Sequence, residues 1–276
     1  MIKMNENILV IGGEGKNGRR VVGKLRNMGC SVFSTTRRKE EVKADLLFFD
    51  WNDVSTYELA VSNIDKVYIV HPDTSTPDAY EHINLLINCM VKKGVSKAVL
   101  LSGRGQESVR KCEEILINSQ LEWTIIRSAW FNQNFSEGHF LHGIQSGSVT
   151  FMAGSVKEPF VDLDDLSDAV VECLIHKKYN GKIYEVTGDE LLTFEEAVET
   201  IGNSLGRNVK YHFLNKNEYL ELLKNIGLPH FVAEHMTIAF GEILDGRNEN
   251  IGNGIQEILG RKPKKFKDFI KLSQFS

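Results

Sequence analysis

Short apolar runs alternate with amphipathic stretches through the first two-thirds of this chain. Runs of strand length lie at 8–11, 31–36, 46–49, 66–70, 97–101 and 122–127, with a further one at 182–186. Between them, 17–28 carries Val21, Val22, Leu25 and Met28 on one helical face and ends at Gly29. Helices are also predicted over 77–93, which begins with a proline and closes at Gly94, over 106–119, and over 166–176 after the aspartates at 162–165. Near-continuous apolar strands joined by helical crossovers predict a parallel sheet covered on both faces. Right-handed crossovers make such a sheet doubly wound, with its ligand crevice at the carboxyl ends of the strands. After Gly188 the pattern changes. Residues 193–205, 215–226 and 231–244 read as helices, and strand signal is confined to 209–213. The expected architecture is α/β: a doubly wound, Rossmann-type parallel sheet with a smaller, mostly helical C-terminal lobe.

The junction between the first run and the first helix carries the candidate chemistry. Ile8-Leu9-Val10-Ile11 is followed by Gly12-Gly13-Glu14-Gly15-Lys16-Asn17-Gly18. Strand, glycine turn and helix in that order form a dinucleotide-binding loop. Glycines close the turn tightly and let main-chain N–H groups approach a pyrophosphate, which then faces the positive end of the helix. Two registers fit: Gly13, Gly15 and Gly18 as G-x-G-x-x-G, or Gly12, Gly15 and Gly18 as G-x-x-G-x-x-G. Lys16 and Asn17 belong to the same cofactor-binding turn. Glu14 is out of place beside a phosphate unless its side chain turns away.

The second strand identifies the dinucleotide. An NAD-selective site places an acid at its end to hold the ribose 2′-hydroxyl. This strand ends Ser34-Thr35-Thr36-Arg37-Arg38. Guanidinium groups suit a 2′-phosphate, so the residues favour NADP(H), held by Arg37 with Lys16 or Arg38 assisting. The other reading of Arg37 and Arg38 is a solvated loop ahead of Glu40 and Glu41. Asp50, after the third strand, is placed to meet the adenine edge or to cap a turn with Asn52 and Asp53. On this basis residues 1–130 form the NADP(H)-binding core, completed by 156–188. Residues 131–155 and 189–276 form the substrate-binding lobe.

Composition narrows the classes. Hydrophobic residues make up 42% and charged residues 25% of the 276, enough for a sizeable core. The net charge of −4 gives no electrostatic case for nucleic acid, and the basic run 261–267 reads as a solvated segment. No apolar stretch approaches the roughly 18 residues of a membrane span. Cys30, Cys89, Cys112 and Cys173 form no CxxC pair, and residues 1–6 are too short and polar for a signal peptide. A cytoplasmic protein with a small-molecule substrate is expected, as a monomer or a homodimer.

With these pieces placed, the chain resembles the NmrA-like branch of the atypical short-chain dehydrogenase/reductases. The resemblance rests on the glycine turn from Gly12 to Arg20 and on Glu122-Trp123-Thr124-Ile125-Ile126-Arg127-Ser128-Ala129-Trp130-Phe131-Asn132-Gln133-Asn134-Phe135. Pro159-Phe160-Val161-Asp162-Leu163-Asp164-Asp165 and the ending Leu259-Gly260-Arg261-Lys262-Pro263 with Phe266-Lys267-Asp268-Phe269 extend it over nearly the whole length. It implies an oxidoreductase similar to NADPH-dependent quinone reductases, triphenylmethane-dye reductases and the agroclavine/festuclavine dehydrogenase group. Other members bind the dinucleotide as redox-sensing regulators without turnover.

The usual acid of short-chain dehydrogenases, a Tyr-x-x-x-Lys pair, is absent from 106–119. A quinone or a preformed cation is already electrophilic and needs orientation more than a strong acid. Trp130, Phe131 and Phe135 are the candidate substrate-binding aromatics, or packing between the lobes. His71 and Pro72 end the fourth run and Ser102 ends the fifth, so all three are expected at the nicotinamide crevice. Ser102 would bond the ribose or substrate. His71 reads as a proton donor near neutral pH or as a turn histidine, and the backbone at His71–Pro72 is the firmer contact. The catalytic residue itself is not identified, and no metal set is complete.

Overall fold

The computed structural model describes residues 6–275; most of the 1–6 stretch expected to be too short and polar for a signal peptide lies outside it. The first half runs β1 (Asn7–Val10), α1 (Lys16–Asn27), β2 (Ser31–Thr36), β3 (Leu46–Phe48), α2 (Tyr57–Ala60), β4 (Lys66–Ile69), α3 (Ala79–Lys93), β5 (Lys97–Gly103), α4 (Glu107–Ile117) and β6 (Glu122–Ser128). Next come α5 (Leu141–Ser146), β7 (Ser148–Phe151), β8 (Lys157–Glu158), α6 (Leu163–Ile175) and β9 (Lys182–Val186). The chain ends with β10 (Leu192–Thr193), α7 (Phe194–Ser204), β11 (Lys210–Phe213), α8 (Lys216–Asn225), α9 (His230–Ile243), α10 (Gly254–Leu259) and α11 (Phe266–Leu272).

The main sheet has the order β3-β2-β1-β4-β5-β6-β9, and every neighbouring pair is parallel. The order reverses between β1 and β4, which makes their carboxyl ends the topological switch point. Both faces of the sheet are covered. Val10, Tyr68, Val99 and Ile126 face one core with Val21 and Leu25 of α1 and Leu166 and Val170 of α6. Leu9, Ile69, Leu100 and Ile125 face the other with Ile83, Leu86 and Met90 of α3 and Leu116 of α4. Alternate residues of each strand thus serve opposite cores, which is why the strands read as unbroken apolar runs.

A third cluster stands apart from the sheet. It gathers Phe135, Phe140, Phe151, Phe160, Phe194, Ile201, Phe266 and Phe269, with Trp130 packed against it. Two short sheets belong to this region, β10 antiparallel to β8 and β11 parallel to β7. The strand expected at 209–213 therefore exists, and its partner is β7, which the sequence pattern does not mark as a strand.

The basic run is more than a solvated segment. Arg261 pairs with Asp165 and Lys264 with Asp162, each at 2.8 Å, so it closes over the acidic start of α6. Asp162 also caps that helix, accepting from the Asp164 N–H. Among the described residues no helix is long and apolar enough to cross a membrane.

Candidate functional site

The turn between β1 and α1 gives its glycines separate jobs. Gly12 has φ +73°, the left-handed region that favours glycine, and its N–H donates to Thr35 Oγ1 on β2 at 3.0 Å. A Cβ on Gly13 would sit 2.5 Å from Ser34 Cβ, and one on Gly18 would sit 2.1 Å from the Gly12 carbonyl oxygen. These two glycines let strand and helix touch. Gly15 is different: a Cβ there meets only the Gly12 oxygen, at 3.2 Å, and otherwise open space. Its bare face leaves a cradle at the start of α1, where no side chain caps the helix. The first N–H groups of that 12-residue helix are thus presented toward the switch point, as an anion needs.

The polar residues around the cradle sort by what already holds them. Arg38 pairs with Glu14 and Glu41 at 2.7 Å each, which turns the misplaced acid of the loop away from the cradle. Hydrogen bonding from Thr36 and from Arg38 keeps the Glu14 carboxyl below its usual range despite opposing desolvation. Arg37 is exposed, and among the described residues no ion pair engages it. Lys16 is half-buried; desolvation pulls its pKa down against the attraction of Glu137, and its Nζ donates to Asn134 Oδ1 at 2.7 Å. Asn17 is buried, with its amide donating to the Tyr68 hydroxyl at 2.6 Å. That side chain anchors α1 to β4 and leaves the turn's backbone to meet a ligand. Asp50 takes the turn-capping role, accepting from the Asn52 N–H at 3.0 Å.

The strand-end residues depart from the sequence reading. Ser102 is buried and its hydroxyl donates to the carboxylate of Glu113, which in turn receives Arg127 through Nε at 2.9 Å. The hydroxyl thus commits its proton to a structural cluster joining β5, α4 and β6. His71 is held through Nδ1 by the Asp73 carbonyl at 2.8 Å and through Nε2 by His82 at 3.2 Å. Burial, countered only in part by the Asp73 carbonyl, pushes its pKa down to about 4. It is neutral at pH 7 and does not carry the proton expected of it. Pro72, beside it, is exposed. Across the mouth, Asp73 Oδ2 meets His235 Nε2 of α9 at 3.1 Å, tying the loop after β4 to the second lobe.

A cavity of about 200 Å³ opens at the carboxyl ends of β5 and β6. Gly103, Ser128, Trp130, Phe131 and Asn134 line it from the sheet side, with Ile243 and Asn248 opposite. Trp130 and Phe131 diverge below it. Trp130 stands edge-on to Phe194 at 5.2 Å between ring centroids in the third cluster, while Phe131 packs against the first. Phe135 is wholly buried in the third cluster, so it packs and lines nothing. A larger hollow, about 330 Å³, lies among Lys66, Lys97, Glu122 and His176 at the amino-terminal edge of the sheet, remote from the glycine turn. Position at the carboxyl ends, rather than size, selects the smaller cavity.

Two residues of this cavity escaped the sequence reading. Arg104 is 6% exposed; its guanidinium bonds Glu185 Oε2 at 3.1 Å and Asn250 Oδ1 at 2.6 Å. Glu158 is 1% exposed, and its Oε1 has no hydrogen-bond partner. Burial pushes its carboxyl up to about 8, Arg104 pulling it back and Glu249 adding to the rise. In sequence, Lys157-Glu158-Pro159 reads as an ordinary charged loop; only the neighbouring apolar run Phe160-Val161 hints that the acid is buried.

A model of the NmrA-like family matches residues 4–276, and the chain belongs to that family. Prestalk A differentiation protein A of Dictyostelium discoideum is 25% identical over 276 residues, spanning 96% of this chain and 91% of its own. Festuclavine synthase I of Penicillium roqueforti is 25% identical over 278 residues, spanning 95% and 96%. Among solved structures, the Citrobacter sp. triphenylmethane reductase complexed with NADP(H) superposes with a TM-score of 0.80 at 18% identity, covering 97% of this chain and 100% of that one. That last likeness is one of fold.

Proposed function

We propose that this NmrA-like chain is an NADPH-dependent reductase of a small conjugated or cationic organic molecule: an iminium, a quinone or an activated C=C. The observation that carries the reading is spatial. The uncapped start of α1, with the bare face of Gly15, lies at the same edge of the sheet as an aromatic-walled cavity. Lys16 links the two by its bond to Asn134, which lines that cavity.

In this reading the backbone from Gly12 to Gly18 cradles the pyrophosphate and Arg37 takes the 2′-phosphate. When bound, NADPH supplies the hydride. Trp130 and Phe131 hold the flat acceptor, and α9, tied down by Asp73 and His235, keeps water from the reacting face. Aligned relatives named as a festuclavine synthase and, by fold, a triphenylmethane reductase support hydride chemistry on conjugated substrates. The missing Tyr-x-x-x-Lys pair favours a second reading, a regulator that binds NADP(H) without turnover. Steady-state oxidation of NADPH, with NADH as control, against a quinone and a cyclic iminium decides between them. Turnover with either acceptor supports the enzyme; tight NADPH binding with none supports the sensor.

A further inference from the structure

The cavity beyond β5 and β6 has apolar walls at Trp130, Phe131 and Ile243 and takes Arg104, Asn248 and Glu158 into the same lining. Arg104 is fully engaged by Glu185, by the Asn248 carbonyl and by Asn250. Glu158 is not: its side chain lines the cavity while its buried Oε1 has no hydrogen-bond partner. A buried, unpaired carboxyl costs stability, and natural folds keep such groups where they serve a ligand or a reaction.

We propose that Glu158 is the proton donor of this site, acting on a neutral, oxygen-bearing acceptor of the quinone or enone class. The proposal rests on the reductase reading. NADPH held at the glycine turn would supply the hydride; an acceptor that takes it at carbon displaces a π electron pair onto its carbonyl oxygen. The Glu158 O–H breaks as the proton moves to that oxygen, leaving a carboxylate that solvent reprotonates after product leaves. Arg104, lining the same cavity, adds positive potential beside the oxygen on which negative charge develops.

The charged groups around Glu158 are few. Arg104 follows β5, Glu249 lies on the loop after α9, and Lys157 is its neighbour on β8, its N–H donating to Glu249 Oε1 at 3.0 Å. With its carboxyl held near 8 by burial, Glu158 is protonated at neutral pH, where a general acid must be.

The test compares wild type with Glu158→Gln, which keeps shape and polarity. Four measurements are made: kcat against pH with a quinone, kcat and KM with a preformed iminium, NADPH affinity, and the pH titration of ¹³C-labelled glutamate carboxyls in the free protein by NMR. We expect quinone kcat to fall by about 10²- to 10⁴-fold in the variant, with the wild-type loss of activity above about pH 8 disappearing. Iminium reduction, which needs no proton, and NADPH affinity should each stay within about threefold. One carboxyl resonance, absent from the variant, should titrate far above the others. Unchanged quinone turnover in the variant, or a raised KM confined to the iminium, overturns the assignment while leaving the reductase intact. An ordinary titration of Glu158 overturns it as well. Wild type that binds NADPH but reduces neither acceptor fails earlier, taking the reductase reading and the proton donor with it.

Discussion

Lys16, the first residue of α1, donates from Nζ to Asn134 Oδ1 at 2.7 Å across 118 positions of sequence. One end of this bond belongs to the glycine turn and the other to the wall of the cavity beyond β5 and β6. The cradle and the cavity are therefore fastened by a side chain, as well as by the sheet beneath them. Arg19 and Arg20 reinforce the seam by pairing with Glu137.

The division of labour among the glycines predicts different losses. Gly15→Val should keep the fold and abolish NADPH binding, because its side chain enters the open cradle and its backbone, at φ −69°, accepts valine. Gly18→Ala should cost about 2 kcal/mol or more, since its Cβ falls on the Gly12 carbonyl. Calorimetric titration and urea unfolding of both variants check this. Retained NADPH affinity in Gly15→Val would move the cofactor elsewhere.

Arg37→Ala should weaken NADPH and spare NADH. An exposed guanidinium at the end of β2, with no ion pair among the described residues, is available to a 2′-phosphate, whereas Arg38 is already held by Glu14 and Glu41. Loss of a charge-assisted contact is worth about 1.5–3 kcal/mol, or roughly 10- to 150-fold in Kd. Equal losses for both cofactors would remove Arg37 from that role.

Glu113 is the centre of a buried cluster with Ser102 and Arg127. Glu113→Ala leaves the guanidinium without its partner and should destabilise the fold by about 3–5 kcal/mol. Ser102→Ala should cost about 1 kcal/mol and leave NADPH affinity unaltered. Denaturant midpoints and Kd values separate the two; a large loss of affinity in Ser102→Ala would return its hydroxyl to the crevice.

Stability should carry the mark of Glu158. Its folded carboxyl titrates near 8 against an ordinary value of 4.5, so the folded state binds a proton that the unfolded state releases. Its contribution is full below pH 4.5 and is lost as pH rises toward 8. Urea unfolding across that range should show a downward slope in wild type that is shallower in Glu158→Gln. Parallel slopes would mean an unshifted carboxyl.

No tyrosine should be essential. Tyr57 donates to the Trp51 carbonyl and Tyr68 lies inside the fold against Asn17, so neither hydroxyl reaches the cavity. Tyr80 is exposed on α3. Phenylalanine at Tyr57, Tyr68 or Tyr80 should lower kcat by less than about tenfold, below the usual worth of a general acid. A thousandfold collapse at any of them in steady-state kinetics would restore ordinary tyrosine-assisted carbonyl reduction.

The sheet was legible because strands buried on both faces show as unbroken apolar runs, and the glycine turn because its spacing follows from backbone geometry. The two-residue strands β8 and β10 have too little length to carry a period. Side-chain roles were harder. Ser102 and His71 stand at the right strand ends, but Glu113 and His82, each 11 residues away, claim their polar atoms. Glu158 drew no notice in sequence because burial is a property of what packs over a residue, which local sequence does not record.

The third core has a consequence for how the protein is made. Phe135 and Phe151 emerge early, but Phe266, Phe269 and Phe275, which share their cluster, come last. During vectorial synthesis the sheet through β6 has its strands in hand while this lobe still lacks its closing residues. A ribosome paused before residue 266 therefore holds a nascent chain with an apolar face uncovered, the state most open to chaperone capture or aggregation. This third core can therefore close only once residues 266–275 have been made.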